Sequence, residues 1–289
     1  MSGIFGFTMK TDDPGLLEEA LGGLEYWNRI YGDHARASAL VGRSGLGCHV
    51  EHFSEAFPSG GPILHMDGVD AVVDALLYNR EELEKILELS AGCGLSDEEL
   101  LLKLVNQKGW KALAMVNGDF AGALYDREKG SWTLFRDHLG VRPIYYYMDD
   151  TTFAFSTDIR GIAAVPGVEL RPNEKRLFAG LHYCNTLSLR ETDYSNVWCI
   201  RPGAVTVARP TDGGFTLREK PYWKIRRRRV RLADRESYAE RMRELVEDAV
   251  RRRLEAVPGL VGAELSGGLD SSVIDILINR NGRKGVYYS

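Results

Sequence analysis

Toward one end of the 289-residue chain stands Leu265-Ser-Gly-Gly-Leu-Asp-Ser-Ser272, where two glycines, three hydroxyls and a carboxylate lie between apolar runs. These residue types at this spacing suit anion binding. Gly267 and Gly268 let the backbone approach a phosphate, the first N–H groups of a following helix point outward at its positive end, and Ser266, Ser271 and Ser272 add hydroxyl donors. The turn holds no lysine, so it is not the GxxxxGK[ST] phosphate loop, and it is not GxGxxG. Taken alone, the same residues also suit a plain strand-to-helix turn that needs glycine for its backbone angles and serine for a cap. At the other end, Met1-Ser-Gly-Ile4 carries a hydroxyl that loss of Met1 would leave beside its own free amine, a nucleophile next to a base.

The elements that must position these groups follow from periodicity. Around the loop, an apolar strand over 260–265, a helix over about 269–279 and a second strand over 285–288 form a βαβ unit. A helix over about 235–255, with Leu245, Val246, Ala249, Val250 and Leu254 on one face, leads into it. The arginine run 226–229 with Arg231 precedes that helix and reads as a solvated face at a domain boundary. Earlier in the chain, short apolar runs alternate with turn signals. They predict strands over 3–9, 71–77, 120–126, 132–136, 144–148, 153–157 and 204–208, and helices over 14–29, 80–89, 97–108 and 174–181. Ser96 and Glu99 are spaced as a capping box. Strands with helices inserted at intervals predict two packed sheets flanked by helices.

Composition excludes several function classes. With 37 Lys+Arg against 41 Asp+Glu, the net charge of -4 gives no field that would collect nucleic acid or an acidic membrane. No apolar run approaches the roughly 18 residues of a membrane span, and Asp12 and Asp13 follow the start too closely for a secretory signal. Cys48, Cys93, Cys184 and Cys199 form no CxxC pair and no zinc spacing, which suits buried free thiols in a reducing, cytoplasmic setting. His49 and His52 lack a third ligand nearby and read as surface histidines, so no metal site is expected.

The order Ser-Gly-Gly-x-Asp-Ser-Ser between a strand and a helix resembles the pyrophosphate-binding loop (PP-loop) of enzymes that adenylate a carboxylate and release pyrophosphate. Asn117-Gly-Asp-Phe-Ala-Gly-Ala-Leu-Tyr-Asp126, Arg136-Asp-His-Leu-Gly-Val-Arg-Pro-Ile-Tyr-Tyr146 and Phe153-Ala-Phe-Ser-Thr-Asp-Ile159 are similar to consecutive signature segments of the asparagine synthetase family. So are Ser96-Asp-Glu-Glu99 and the Arg201-Pro-Gly203 turn that leads to Tyr222-Trp223, and the resemblance covers essentially the whole chain in family order. It implies an α+β chain: an N-terminal αββα sandwich of the N-terminal-nucleophile (Ntn) hydrolase type over 1–223, then the start of an α/β PP-loop domain, of the adenine nucleotide α-hydrolase-like kind, over 224–289. It implies ATP with Mg²⁺ at Leu265, Ser266, Gly267, Gly268, Asp270, Ser271 and Ser272, and a carboxylate substrate, aspartate or another amino-acid or peptide acid. In the family, glutamine hydrolysed by the first domain supplies ammonia to the acyl-adenylate in the second.

The same resemblance marks the front site as damaged. Glutamine-hydrolysing members begin Met-Cys-Gly-Ile, whereas this chain has Ser2, a far weaker nucleophile than a thiolate. Where the family has Asn-Gly-Glu-Ile-Tyr-Asn, this chain has Asp74-Ala-Leu-Leu-Tyr-Asn79. The family Asn and Gly supply oxyanion donors; Asp74 beside Ala75 accepts only and would repel a developing oxyanion, and Leu76 cannot bind the glutamine amino group. The arginine that clamps the glutamine carboxylate is missing over 46–53, and using Arg43 would require a shifted loop. Asp97 and the Tyr78-Asn79 pair match and read as kept for folding. These readings together predict a retained but inactive glutaminase domain. The 66 residues after Trp223 are too few for a whole PP-loop sheet of about five strands, so the sequence reads as the front of a longer synthetase, a disrupted gene or one part of a split enzyme, whose partners would be a missing C-terminal half or a second copy in a homodimer. Two further readings follow: an amide-bond former resembling β-lactam synthetases or lasso-peptide cyclases, which use an amine within the substrate, and a non-catalytic scaffold or binding module.

Overall fold

Seven successive residues, Gly3–Met9 (β1), are buried, which requires a strand covered on both faces. The computed structural model describes residues 2–32, 34–51, 61–182, 188–227 and 229–289. After β1 come α1 (Pro14–Asn28), β2 (Ala35–Val41), β3 (Ser44–Val50), β4 (Leu64–Met66), β5 (Val69–Leu77), α2 (Arg80–Ile86) and α3 (Asp97–Lys108). Then follow β6 (Gly118–Asp126), β7 (Ser131–Arg136), β8 (Tyr145–Met148), β9 (Thr152–Ser156), α4 (Ile159–Ala163), α5 (Glu174–Leu181), β10 (Val197–Cys199), β11 (Ala204–Thr211) and β12 (Gly214–Pro221). The chain ends with α6 (Arg235–Ala256), β13 (Val261–Glu264), α7 (Leu269–Arg280) and β14 (Gly285–Tyr288).

Two antiparallel six-stranded sheets run β10-β8-β9-β1-β3-β2 and β12-β11-β7-β6-β5-β4. Their facing sides share one core, with Ile4, Leu46, Cys48 and Phe155 from the first sheet against Val72, Ala123, Trp132 and Leu134 from the second. On the outer face of the first sheet, Phe5, Phe7 and Ala154 meet Leu17, Ala20 and Leu24 of α1. Those three leucine and alanine positions recur at helical spacing, and Asp13 caps the helix by accepting from the Gly15 N–H at 2.9 Å. On the outer face of the second sheet, Leu83 of α2 and Leu100, Leu101 and Leu104 of α3 cover Ala71, Val73 and Phe120. The layers are therefore helix, sheet, sheet, helix, the predicted αββα arrangement. The Ser96 and Glu99 capping box starts α3 as the spacing predicts.

Beyond β12, α6 leads to the parallel pair β13 and β14, joined through α7. The apolar stripe on α6 is realised only in part. Val250 and Leu254 are buried, whereas Leu245 and Ala249 are exposed, because the residues that cover α6, Ala263, Leu277 and Ile278, meet its C-terminal half. Arg226, Arg227, Arg229 and Arg231 are exposed, as a solvated run requires. No helix is long and apolar enough to cross a membrane among the described residues. Cys48 and Cys199 are buried free thiols, Cys93 is half-buried, and Cys184 lies outside the described residues.

Candidate functional site

Ser2 stands at the head of β1, 1 % exposed, and its Oγ accepts a 3.3 Å hydrogen bond from the Glu51 N–H. Two contacts with Thr157 fasten the strand here: Ile4 N–H donates to Thr157 Oγ1 at 3.0 Å, and Thr157 N–H donates to Ile4 O at 2.9 Å. Residue 3 has to be glycine, since a Cβ there would lie 2.7 Å from the Asn28 carbonyl oxygen. Asn28 is itself buried and donates to Leu24 O and Ser156 Oγ, both at 2.8 Å. The scaffold that presents residue 2 is intact whatever side chain stands there.

Across the interior, β5 carries Asp74, Ala75 and Leu76 in continuous register with Ala121, Phe120 and Asp119 of β6. Asp74 is buried, and its Oδ2 lies 3.4 Å from Arg142 Nε, with both side chains almost enclosed. Arg142 thereby corrects the expectation of a bare negative charge at Asp74: the carboxylate has a guanidinium beside it. Leu76 is half-buried and apolar, and Cys48 lies behind the site with its thiol pushed far up, by burial first and then by Glu98 and Asp74. Such a thiol stays protonated and is no substitute nucleophile.

A compact loop after β7 delivers Arg142. The Asp137 carboxylate accepts from four successive backbone N–H groups: Oδ1 from Leu139 (3.0 Å), Gly140 (2.6 Å) and Val141 (2.9 Å), and Oδ2 from Arg142 (2.9 Å). Arg136 closes the loop from the other side, donating to Arg142 O at 2.6 Å, Ile200 O at 2.9 Å and Gly140 O. Gly140 has φ +72°, and a Cβ there would meet the Arg136 guanidinium at 2.8 Å. These contacts are the physical content of the Arg-Asp-x-x-Gly-x-Arg spacing. The sequence reading used that segment only as a family signature and missed that it supplies a partner for Asp74.

Every motif residue kept at the front site has a structural partner. Asp97 accepts from Leu77 N–H at 2.8 Å and from Arg80 Nη1 at 2.7 Å, tying the start of α3 to the end of β5. Asn79 accepts from Asn117 N–H (2.8 Å) and donates to Met115 O (3.0 Å) and Glu82 (3.1 Å). Tyr78 donates to Asp119 at 2.5 Å, and the Arg253 guanidinium lies 4.5 Å over its ring. Arg252 reaches Glu82 at 3.2 Å, so α6 seats on this corner and bounds a cleft of about 910 Å³. The arginines lining that cleft are already committed: Arg80 to Asp97, Arg251 and Arg252 to Asp248, Arg283 to Val257 O and Gly259 O.

Arg43 is tied to Asp12 at 2.6 and 2.7 Å, at the far end of β3 from Ser2. Seven steps along an extended strand separate it from Val50, roughly 23 Å, so a shifted loop could not bring it to the site. His49 is buried, its ring 6.3 Å from that of Phe5, which corrects the reading of a surface histidine; the interior strand β3 encloses both its faces. His52 lies outside the described residues, and among these no group of three or more His, Cys, Asp or Glu is placed to hold a metal ion.

At the other end, Leu265 to Ser272 runs from the C-terminal end of β13 into the N-terminus of α7, fully outside the sandwich core. Gly267 has φ +75° and nothing within 4 Å of the place a Cβ would take. Among the described residues no side chain caps α7. Ser271 and Ser272 instead turn their hydroxyls to Gly268 O at 3.2 and 2.7 Å, and Ser266 pairs with Ser271 at 3.0 Å. The donors left facing outward are the first-turn backbone N–H groups, and Asp270 beside them is exposed.

A four-layer αββα sandwich with residue 2 at the head of an interior strand defines the Ntn-hydrolase class. The family model for a glutamine amidotransferase domain matches residues 59–223, and that for asparagine synthase matches residues 241–286. The chain belongs to the asparagine synthetase family. It is 32 % identical over 217 residues to a putative asparagine synthetase [glutamine-hydrolyzing] 2 of Methanocaldococcus jannaschii, covering 72 % of this chain and 40 % of that protein. It is 31 % identical over 216 residues to asparagine synthetase [glutamine-hydrolyzing] 3 of Bacillus subtilis, covering 72 % of this chain and 33 % of that one. The chain thus spans well under half the length of these relatives. In fold it is similar to glutamine phosphoribosylpyrophosphate amidotransferase from B. subtilis, with a TM-score of 0.52 at 14 % identity over 99 % of this chain and 65 % of that one.

Proposed function

We propose that residues 1–223 are an amidotransferase domain that does not hydrolyse glutamine, and that residues 224–289 begin a PP-loop domain of an ATP-dependent, AMP-forming amide ligase. The observation that carries the first half is the buried Asp74 and Arg142 pair: where a developing oxyanion needs a donor, the side chain is a carboxylate already held by a guanidinium. Losing one oxyanion donor costs about 3 to 4 kcal/mol, a factor of about 100 to 1000 in rate. Serine in place of thiolate at residue 2 and an apolar Leu76 add to that loss. Glutamine hydrolysis by the purified chain that disappears in Ser2→Ala would overturn this reading; the expected result is none in either protein.

For the second half, the outward N–H groups of α7 and the open space over Gly267 suit the phosphates of ATP, and Asp270 is the acidic side chain at the loop. Mg²⁺ would arrive on those phosphates. In such a ligase the substrate carboxylate attacks the α-phosphorus, pyrophosphate leaves, and an amine then displaces AMP. With the front site silent, the amine would be free ammonia or a group within the substrate. Calorimetric titration with ATP and Mg²⁺ tests the loop: saturable binding lost in Ser266→Ala with Asp270→Ala supports it, and absence of binding to the folded chain would leave a non-catalytic amidotransferase-type module as the better reading. That second reading is favoured by the exposure of Leu269, Val286 and Tyr288.

A further inference from the structure

One interior carboxyl beside the front site takes no part in the chemistry above. Glu98, in the first turn of α3, is 6 % exposed, and its Oε2 is sealed from solvent without a hydrogen-bond partner among the described residues. The ionisable groups that act on it are Asp97 on its own helix and Asp74 on β5, and Cys48 on β3 senses both Glu98 and Asp74. Among the described residues two cations serve this cluster, and both are taken: Arg142 by Asp74 at 3.4 Å, and Arg80 by Asp97 at 2.7 Å and by the buried Glu84 at 3.1 Å. Asp74, Asp97 and Glu84 already share those two guanidiniums, and among the described residues no counter-charge is left for Glu98. An enclosed carboxyl in that position keeps its proton rather than its charge.

We propose that Glu98 is a proton-operated latch: neutral, it seals the start of α3 against the sandwich near Asp74; ionised, it drives the first turn of α3 outward and opens that end. The first turn is the right lever, because Asp97 within it holds both the Leu77 N–H and Arg80. Burial pushes the Glu98 carboxyl up to about 8, against the opposite pull of its own N–H and the Ser96 hydroxyl. In an open state the carboxyl returns to its ordinary value of 4.5. The closed form therefore holds a proton that the open form releases. Its advantage is complete below pH 4.5, shrinks about tenfold per pH unit above that, and is gone once pH exceeds about 8.

Hydrogen exchange of the full chain from pH 6 to 9.5, corrected for the intrinsic exchange rate, reads the opening. Protection of amides in 96–101 and 74–78 should fall about tenfold per unit up to about pH 8 and then level off, with Glu98→Gln removing that slope. A flat wild-type profile, or an unchanged slope in Glu98→Gln, overturns the latch. Because the variant could fail to fold, infrared spectra of wild-type protein carrying ¹³C-glutamate supply a second readout: a protonated-carboxyl band present at pH 7 and lost near pH 8 supports the proposal, and its absence at pH 7 overturns it.

Discussion

Replacing Asp74 with asparagine keeps the shape of the side chain and removes the counter-charge of Arg142. At 3.4 Å and an effective dielectric constant of 20, the attraction between unit charges is about 5 kcal/mol, and removing one partner of a well-bonded buried pair costs about 3 to 5 kcal/mol. Here Arg142 Nε forms no hydrogen bond with any described residue, and the asparagine oxygen still presents a dipole to it, so the expected loss is smaller, about 2 to 3 kcal/mol. The assay is urea unfolding at pH 7 for the wild type, Asp74→Asn, Arg142→Met and the double variant. Arg142→Met should also destabilise, because it strands Asp74, and the double variant should lose less than the sum of the two, with a coupling of at least about 1 kcal/mol. If Asp74→Asn lies within about 0.5 kcal/mol of wild type, or the double variant is additive, the charges do not answer one another and the account of the front site fails.

Other outcomes follow from the same geometry. Asp137→Ala strands four backbone N–H groups and should lower stability by about 3 kcal/mol or more in the same unfolding assay, with Asp137→Asn less severe. Ser2→Cys alone should leave glutamine hydrolysis at background, because the donors are missing; turnover that rises with this one change would show that residue 2 is the only defect. Gly267→Ala imposes φ +75° on a residue with a Cβ and should weaken ATP binding roughly tenfold while the far-ultraviolet spectrum stays unchanged.

Much of the fold was legible because it is written in local periods. The helix over 97–108 and the strand over 3–9 carry their limits in caps and apolar runs, and the structure keeps those limits. The hairpin of β2 and β3 was not among the strands picked out, since Ser44-Gly-Leu-Gly-Cys-His-Val50 is buried on both faces and shows no alternation. At the site, Ser2, Asp74 and Leu76 could be read one position at a time as departures from the family pattern. Arg142 could not: it lies 68 residues beyond Asp74, and only the turn gathered by Asp137 brings it to the pair. Glu98 was hidden for a similar reason, because a glutamate in the first turn of a helix is ordinarily a solvated complement to the helix dipole and only tertiary packing encloses it.

The sheet order also sets a schedule for synthesis. β1 emerges first, and its neighbour β3 follows soon after, but its other neighbour is β9, which begins at Thr152. At about 5 to 20 residues per second, the stretch from Val50 to Thr152 takes on the order of 5 to 20 s to make. Through that interval Ile4, Phe5 and Phe7 lack one flank, and a ribosome-bound chain of this protein depends on α1 and β3 to shield its first strand.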